Sequence, residues 1–235
     1  MSYTSSLKNA PSHSVITRKI FILILLLSLA GCGGGDNNTE TGAGETAEAG
    51  VATTEEGTPP EADEPLPLER LIVVIGDSIG AGVGASTNFP AILQGLTGIT
   101  VINVSTPGIS AEGGASKAPS LIERFRPMYL VVLLGTNNAV GAAGGISGAI
   151  NSLQFAASVA RGEGVIPVIG TLPPISRDAA ENAAASAISG GILGIGGARI
   201  ARINGSVSIS DISDGLHPND NGQSIIASLF AAQIY

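Results

Sequence analysis

From Arg70 onward the chain alternates short, β-rich apolar runs with longer stretches of helical periodicity, and this alternation restricts the fold more than any other feature. The runs are LIVVI (71–75), TVINV (100–104), YLVVLL (129–134), PVIGTL (167–172) and VSISDI (207–212). The second to fourth are apolar on consecutive residues, as strands covered on both faces are, whereas the fifth alternates as an edge strand does. Between them, FPAILQGL, the segment around SLIERF and ISGAINSLQFAASVAR carry helical patterns, with Ile146, Ile150, Leu153 and Ala157 on one face. A last helix within 219–234 has Ile225, Ile226, Leu229, Phe230 and Ile234 as its stripe. Strand and helix in alternation imply right-handed crossovers, so the expected fold is α/β: a three-layer αβα sandwich with a five-stranded parallel sheet in flavodoxin-like order. Pro167 suits only the start of its strand. The segment AISGGILGIGGARI (187–200) matches neither period and reads as a poorly ordered connection with a buried stripe, or as an apolar flap.

The first 68 residues have a different character. Lys8, Arg18 and Lys19 precede IFILILLLSLA, an apolar run of about eleven residues that is too short to span a bilayer comfortably. It ends in LAGC, Leu29 to Cys32, which resembles the lipobox of bacterial lipoproteins. The resemblance implies that residues 1–31 are an export signal and that Cys32 is lipidated and becomes the new N-terminus. Several acyl chains on one residue would hold the protein on a membrane surface. Gly33 in place of an aspartate points to the cell envelope beyond an inner membrane. Residues 32–68 read as a flexible acidic tether, because they carry acids, no bases and almost no large apolar groups to offset the entropy of ordering. Its root-mean-square reach is on the order of 30 Å. Asp36, Glu40, Glu45, Glu48, Glu55, Glu56, Glu61, Asp63, Glu64 and Glu69 supply about half of the 19 acidic residues, so the net charge of −8 belongs mainly to the tether. The folded part, residues 69–235, is close to neutral and has no basic patch, which argues against nucleic-acid binding. Cys32 is the only cysteine, and so no disulfide forms within the chain.

In parallel α/β sheets, sites form at the carboxyl ends of strands. There the chain places Gly76-Asp77-Ser78, Ser105-Thr106-Pro107-Gly108, Gly135-Thr136-Asn137-Asn138 and, beyond the fifth run, SDGLHPN. The first of these lies in VVIGDSIGAGVGAS (73–86), which fits two general patterns. GDSIG matches the G-x-S-x-G elbow of α/β-hydrolases, and GAGVGA matches the loose dinucleotide pattern G-x-G-x-x-G/A. The elbow needs several strands before the serine, yet Ser78 follows the first. The dinucleotide loop needs an acid after the second strand, where the chain has Asn103 and Ser105. His217 is the only histidine after the signal segment, too few for most metal sites. No metal or other cofactor is expected. A serine hydroxyl does need a base within reach and a carboxylate to orient that base, and Asp214 lies three residues before His217.

Taken together, GDS, NVSTPG, GTN and DGLH resemble, in order and spacing, four blocks of the SGNH (GDSL) hydrolase superfamily across residues 71–235. The resemblance implies Ser78 as nucleophile, His217 as base and Asp214 as its orienting acid. It also implies an oxyanion hole from the Ser78 and Gly108 N–H groups and the Asn137 amide. VIGDSIGAGVG and VINVSTPGISAEGG are similar to the compact thioesterase/lysophospholipase branch. One departure stands out: the third block usually ends in an acid, and here Asn138 takes its place, which puts a contact that holds the loop in question. The expected function is an exported, membrane-anchored serine esterase acting on carboxylic esters, thioesters or lysophospholipids, without an obligate protein partner. Its activity should rise with pH as the base loses its proton. Two alternatives remain, a carbohydrate acetylesterase of the same superfamily and a non-catalytic surface binding module. The absence of tryptophan and the 3% aromatic content favour acyl chains over sugars.

Overall fold

Consecutive apolar residues at 72–75 and 130–133 can be buried only in strands covered on both faces, and the computed structural model places them at the centre of one parallel sheet. It describes residues 68–141 and 144–234; the export signal, Cys32 and the tether lie outside these. The strands are β1 (Glu69–Gly76), β2 (Thr100–Asn103), β3 (Pro127–Leu133), β4 (Ile166–Gly170) and β5 (Arg199–Ala201), in the order β2-β1-β3-β4-β5. Every pairing is parallel, as expected for a flavodoxin-like sandwich. Pro167 lies second in β4, at its amino end.

Eight helices cover the sheet among the described residues: α1 (Ser78–Ala81), α2 (Phe89–Thr97), α3 (Ala111–Ala115), α4 (Ala118–Phe125), α5 (Thr136–Ala139), α6 (Gly145–Gly162), α7 (Ala179–Ile192) and α8 (Asp220–Ala231). Phe89 of α2 stacks on Phe230 of α8 with ring centroids 5.2 Å apart, which joins the helix after the first strand to the last helix of the chain. On the long helix α6 the fully buried positions are Ala149, Leu153, Ala156, Ala157 and Ala160, so the buried stripe is rotated from the one expected. Ile146 is 39% exposed. Ile150 packs against α7 instead, where a Cβ on Gly191 would collide with its side chain. Small residues on both helices permit this close approach.

Three sequence expectations need correction. β2 is an edge strand, exposed at both ends and half-buried between, because only β1 pairs with it. Residues 207–212 do not form the fifth strand: Ile209–Asp211 is a 3₁₀ turn with Ile209 65% exposed. There the Asp211 carboxylate accepts hydrogen bonds from the Ser208 N–H (2.8 Å) and hydroxyl (2.6 Å). Serine and aspartate side chains that bond nearby backbone offer it an alternative to a strand ladder. The fifth strand comes instead from 199–201, at the end of the segment read as a connection or flap; the rest of that segment includes the end of α7, which buries Ile188 and Ile192. A three-residue strand after a glycine-rich turn is too short to show a period. Since β5 ends at Ala201, the link to Asp214 is longer than the sequence suggested.

Candidate active site

β1 ends in Gly76, and Asp77 caps the one-turn helix α1 by accepting the Ile79 N–H at 2.9 Å. Ser78 is thereby the first residue of α1, and its own N–H is among those that a helix start leaves without an intrahelical acceptor. Gly82, at φ 86°, closes the helix in a left-handed cap. Gly84, at φ 90°, packs on the loop that carries the histidine: a Cβ there would lie 2.8 Å from His217 Cβ and 2.6 Å from Ser213 Oγ. The glycines that fit a dinucleotide pattern thus turn the chain and let two loops meet.

On the other loop, Asp214 Oδ1 accepts the N–H groups of Leu216 (3.0 Å) and His217 (2.7 Å), which fold 214–217 into a tight turn. Its Oδ2 lies 2.7 Å from His217 Nδ1, and His217 Nε2 lies 3.0 Å from Ser78 Oγ. The structure therefore brings Ser78, His217 and Asp214 into one hydrogen-bonded chain. With Nδ1–H on the carboxylate, Nε2 is left to accept the serine proton. Desolvation pushes the Asp214 carboxyl up, but the hydrogen bonds from the His217 ring and from the His217 and Leu216 N–H groups outweigh it and hold it at about 2. It stays a carboxylate at any pH where the imidazole can work.

After β2, the Ile109 N–H donates to Thr106 O at 3.2 Å across Pro107 and Gly108, the latter at φ 78°. Proline second and a positive-φ glycine third make a type II turn, which leaves the Gly108 N–H outside its own bond. After β3, Asn137 Nδ2 donates to Ile109 O at 2.9 Å and approaches Asp77 Oδ2 at 3.4 Å. Asn137 thus ties the loops after β1, β2 and β3 together on the rim that holds the triad. Asn138 is buried and held by α3.

Several supports were not anticipated from sequence. Asp77 is fully buried; desolvation drives its carboxyl from 3.8 up to about 6, against the opposing pull of the Ile79 hydrogen bond and of His217. Gln223, buried in α8, accepts the Phe89 N–H at 2.9 Å and donates to Ile79 O at 3.1 Å. The first turn of α8 adds Asp220, whose carboxylate accepts from the Ser86 N–H at 2.7 Å. A polar residue among the apolar positions of the last helix was the available signal for Gln223. Ser105 Oγ fills the space beside Gly76 and Gly80, where a Cβ on either would collide with it. A cleft of about 290 Å³ lined by Leu68, Ile122, Arg126 and Glu163 lies at the amino ends of the strands and holds none of the triad. Among the described residues no group of three His, Cys, Asp or Glu could hold a metal ion, and no helix is long and apolar enough to cross a membrane.

No family model matches the chain. Solved structures do. A lipase/acylhydrolase from Enterococcus faecalis superposes with a TM-score of 0.61 at 19% identity, over 71% of this chain and 95% of that one. The crystal structure of TesA superposes with a TM-score of 0.59 at 24% identity, over 70% of this chain and 97% of that one. The chain has the SGNH hydrolase fold. Among curated proteins it is similar to thioesterase 1/protease 1/lysophospholipase L1 of Escherichia coli K12, 30% identical over 73 residues. That match covers 29% of this chain and 35% of the relative, about a third of the relative's length. Within the SGNH fold the triad occupies the carboxyl rim of β1 and the loop before α8, while Asn137, after β3, meets Asp77, the residue before Ser78.

Proposed function

We propose that the protein is a serine ester hydrolase. The observation that carries this is the unbroken chain from Ser78 Oγ through His217 to Asp214, at 3.0 and 2.7 Å, with Ser78 at the first position of a helix. In this reading Ser78 Oγ attacks an ester carbonyl while His217 Nε2 takes its proton. The resulting oxyanion is held by the Ser78 and Gly108 N–H groups and the Asn137 amide. Collapse expels the alcohol, which receives the proton from His217, and water then resolves the acyl-enzyme by the same route. Asp214 keeps the imidazole in the tautomer that can accept and supports its charge.

Carboxylic esters, thioesters and lysophospholipids with modest acyl chains are the substrate class we favour, because Val83, 40% exposed, donates its N–H to Ser78 O at 3.0 Å and the molecule has no tryptophan for sugar stacking. Export and lipidation at Cys32 complete the proposal, with the catalytic part reaching substrate from a membrane surface. A chain-length series of p-nitrophenyl esters and thioesters, run beside a lysophospholipid and an acetylated sugar, tests it. Hydrolysis that disappears in Ser78→Ala supports the reading. Equal rates in parent and Ser78→Ala would overturn it, and inactivity on every substrate would favour a binding module. Loss of palmitate labelling in Cys32→Ser tests the anchor separately.

A further inference from the structure

The amide at 138, where the resemblance leads one to expect an acid, has a counterpart elsewhere in the chain. The Asn138 side chain is 3% exposed and both its ends are engaged. Oδ1 accepts the Ala111 N–H at 2.8 Å, and Nδ2 donates to the Glu112 carboxylate, 2.9 Å from Oε2 and 3.2 Å from Oε1. Its neighbour Asn137 donates to Ile109 O at 2.9 Å. Two consecutive side chains of α5 thus grip the segment 109–112, which directly follows Gly108.

An aspartate at 138 could still accept the Ala111 N–H. Its other oxygen would then face the Glu112 carboxylate at about 3 Å, a spacing at which two like charges do not both stay ionised. The Glu112 carboxylate is seated against Gly144 and Gly148, at the start of α6, where a Cβ on either would collide with it. Amide at 138 and carboxylate at 112 are therefore complementary, and changing one alone breaks the fit.

We propose that Asn138 and Glu112 are a matched positioning pair that fixes the distance between the two oxyanion donors supplied by different loops, Gly108 after β2 and Asn137 after β3. This rests on the esterase reading. Three variants test it: Asn138→Asp, Glu112→Gln, and the double variant in which carboxylate and amide exchange sides. Oxyanion donors act more strongly in the transition state than on bound substrate, so misplacement falls on kcat and spares KM. Asn138→Asp should lower kcat about ten- to a hundredfold, the cost of roughly ångström-scale misplacement, with KM nearly constant. Glu112→Gln, which keeps a hydrogen-bonding partner, should cost less. The double variant should regain most of the lost kcat and most of any lost Tm.

Asn138→Asp at the parental kcat, or a double variant no faster than Asn138→Asp, would overturn the proposal. If Asn138→Asp alone does not fold, a folded double variant supports the pairing and an unfolded one defeats it. A parent no faster than Ser78→Ala removes the esterase reading and the oxyanion role with it. The Tm values of the same four proteins then report separately whether the two side chains are matched.

Discussion

Two side chains beside Ser78 carry the sharpest consequences at the scale of single residues. In the proposed mechanism Asn137 is one of the oxyanion donors, and removing one such donor elsewhere costs about a hundred- to a thousandfold in kcat. Asn137→Ala should show a loss of that size, measured with a short-chain ester, and an unchanged rate would exclude it from the oxyanion site. Asp77 governs a pH effect on stability. Its folded pKa lies above its ordinary 3.8, at about 6, because burial disfavours the charge. The folded state therefore holds the proton more tightly than the unfolded chain. The stabilisation is complete below about pH 4 and is lost as pH rises through about 6, a change of about 3 kcal/mol at 1.36 kcal/mol per unit. Asp214 acts in the opposite sense, with its stabilisation present above about pH 4 and lost as pH falls toward 2. Urea unfolding of Asp77→Asn, which retains an oxygen for the Ile79 N–H, should lack the decline between pH 4 and 6. Parallel curves for parent and variant would show that Asp77 does not titrate there.

At the scale of elements, the question is what holds the one-turn helix α1 against the loop of His217. Four residues cannot sustain a helix alone. α1 is held from outside: Asp77 caps its start, Gly82 ends it, and Gln223 of α8 bonds both Ile79 O and the first N–H of α2. Gln223→Leu would leave the buried Phe89 N–H without its acceptor, at about 1–3 kcal/mol, and would remove one of two donors to Ile79 O, which keeps the Gly82 N–H. A fall in Tm together with a fall in kcat is expected, since the helix that moves carries Ser78, the proposed nucleophile; a variant with parental values of both would show that α1 needs no such tie. Elements also differ in how far sequence reveals them. α8 is long with an apolar stripe and β3 is a continuous apolar run, so local pattern suffices. β5 has three residues, and its pairing with β4 rather than any propensity makes it a strand. At 207–212 the alternating pattern was real, but Asp211 with Ser208 captured the backbone first.

For the whole molecule, the buried core among the described residues lies between residues 72 and 234, and the strands, helices and triad all lie between Glu69 and Ile234. A chain begun at residue 68 should therefore keep the parental Tm within about 2 °C and the parental kcat on a soluble ester, because it retains every strand, helix and core residue of the described part. A large loss of Tm would mean that the tether contributes to the fold. The sequence by itself determined the fold class and the close pairing of Asp214 with His217: the alternation of apolar runs and helices admits little but a parallel sheet, and Asp-x-x-His closes through local hydrogen bonds across three residues. Tertiary structure decided the rest. Ser78 and His217 are 139 residues apart and meet only because α8 packs on α1 and α2. The amide at 138 looked like a defect until α3 placed a carboxylate against it, since the partner of a buried polar group is chosen by packing and not by position in the chain.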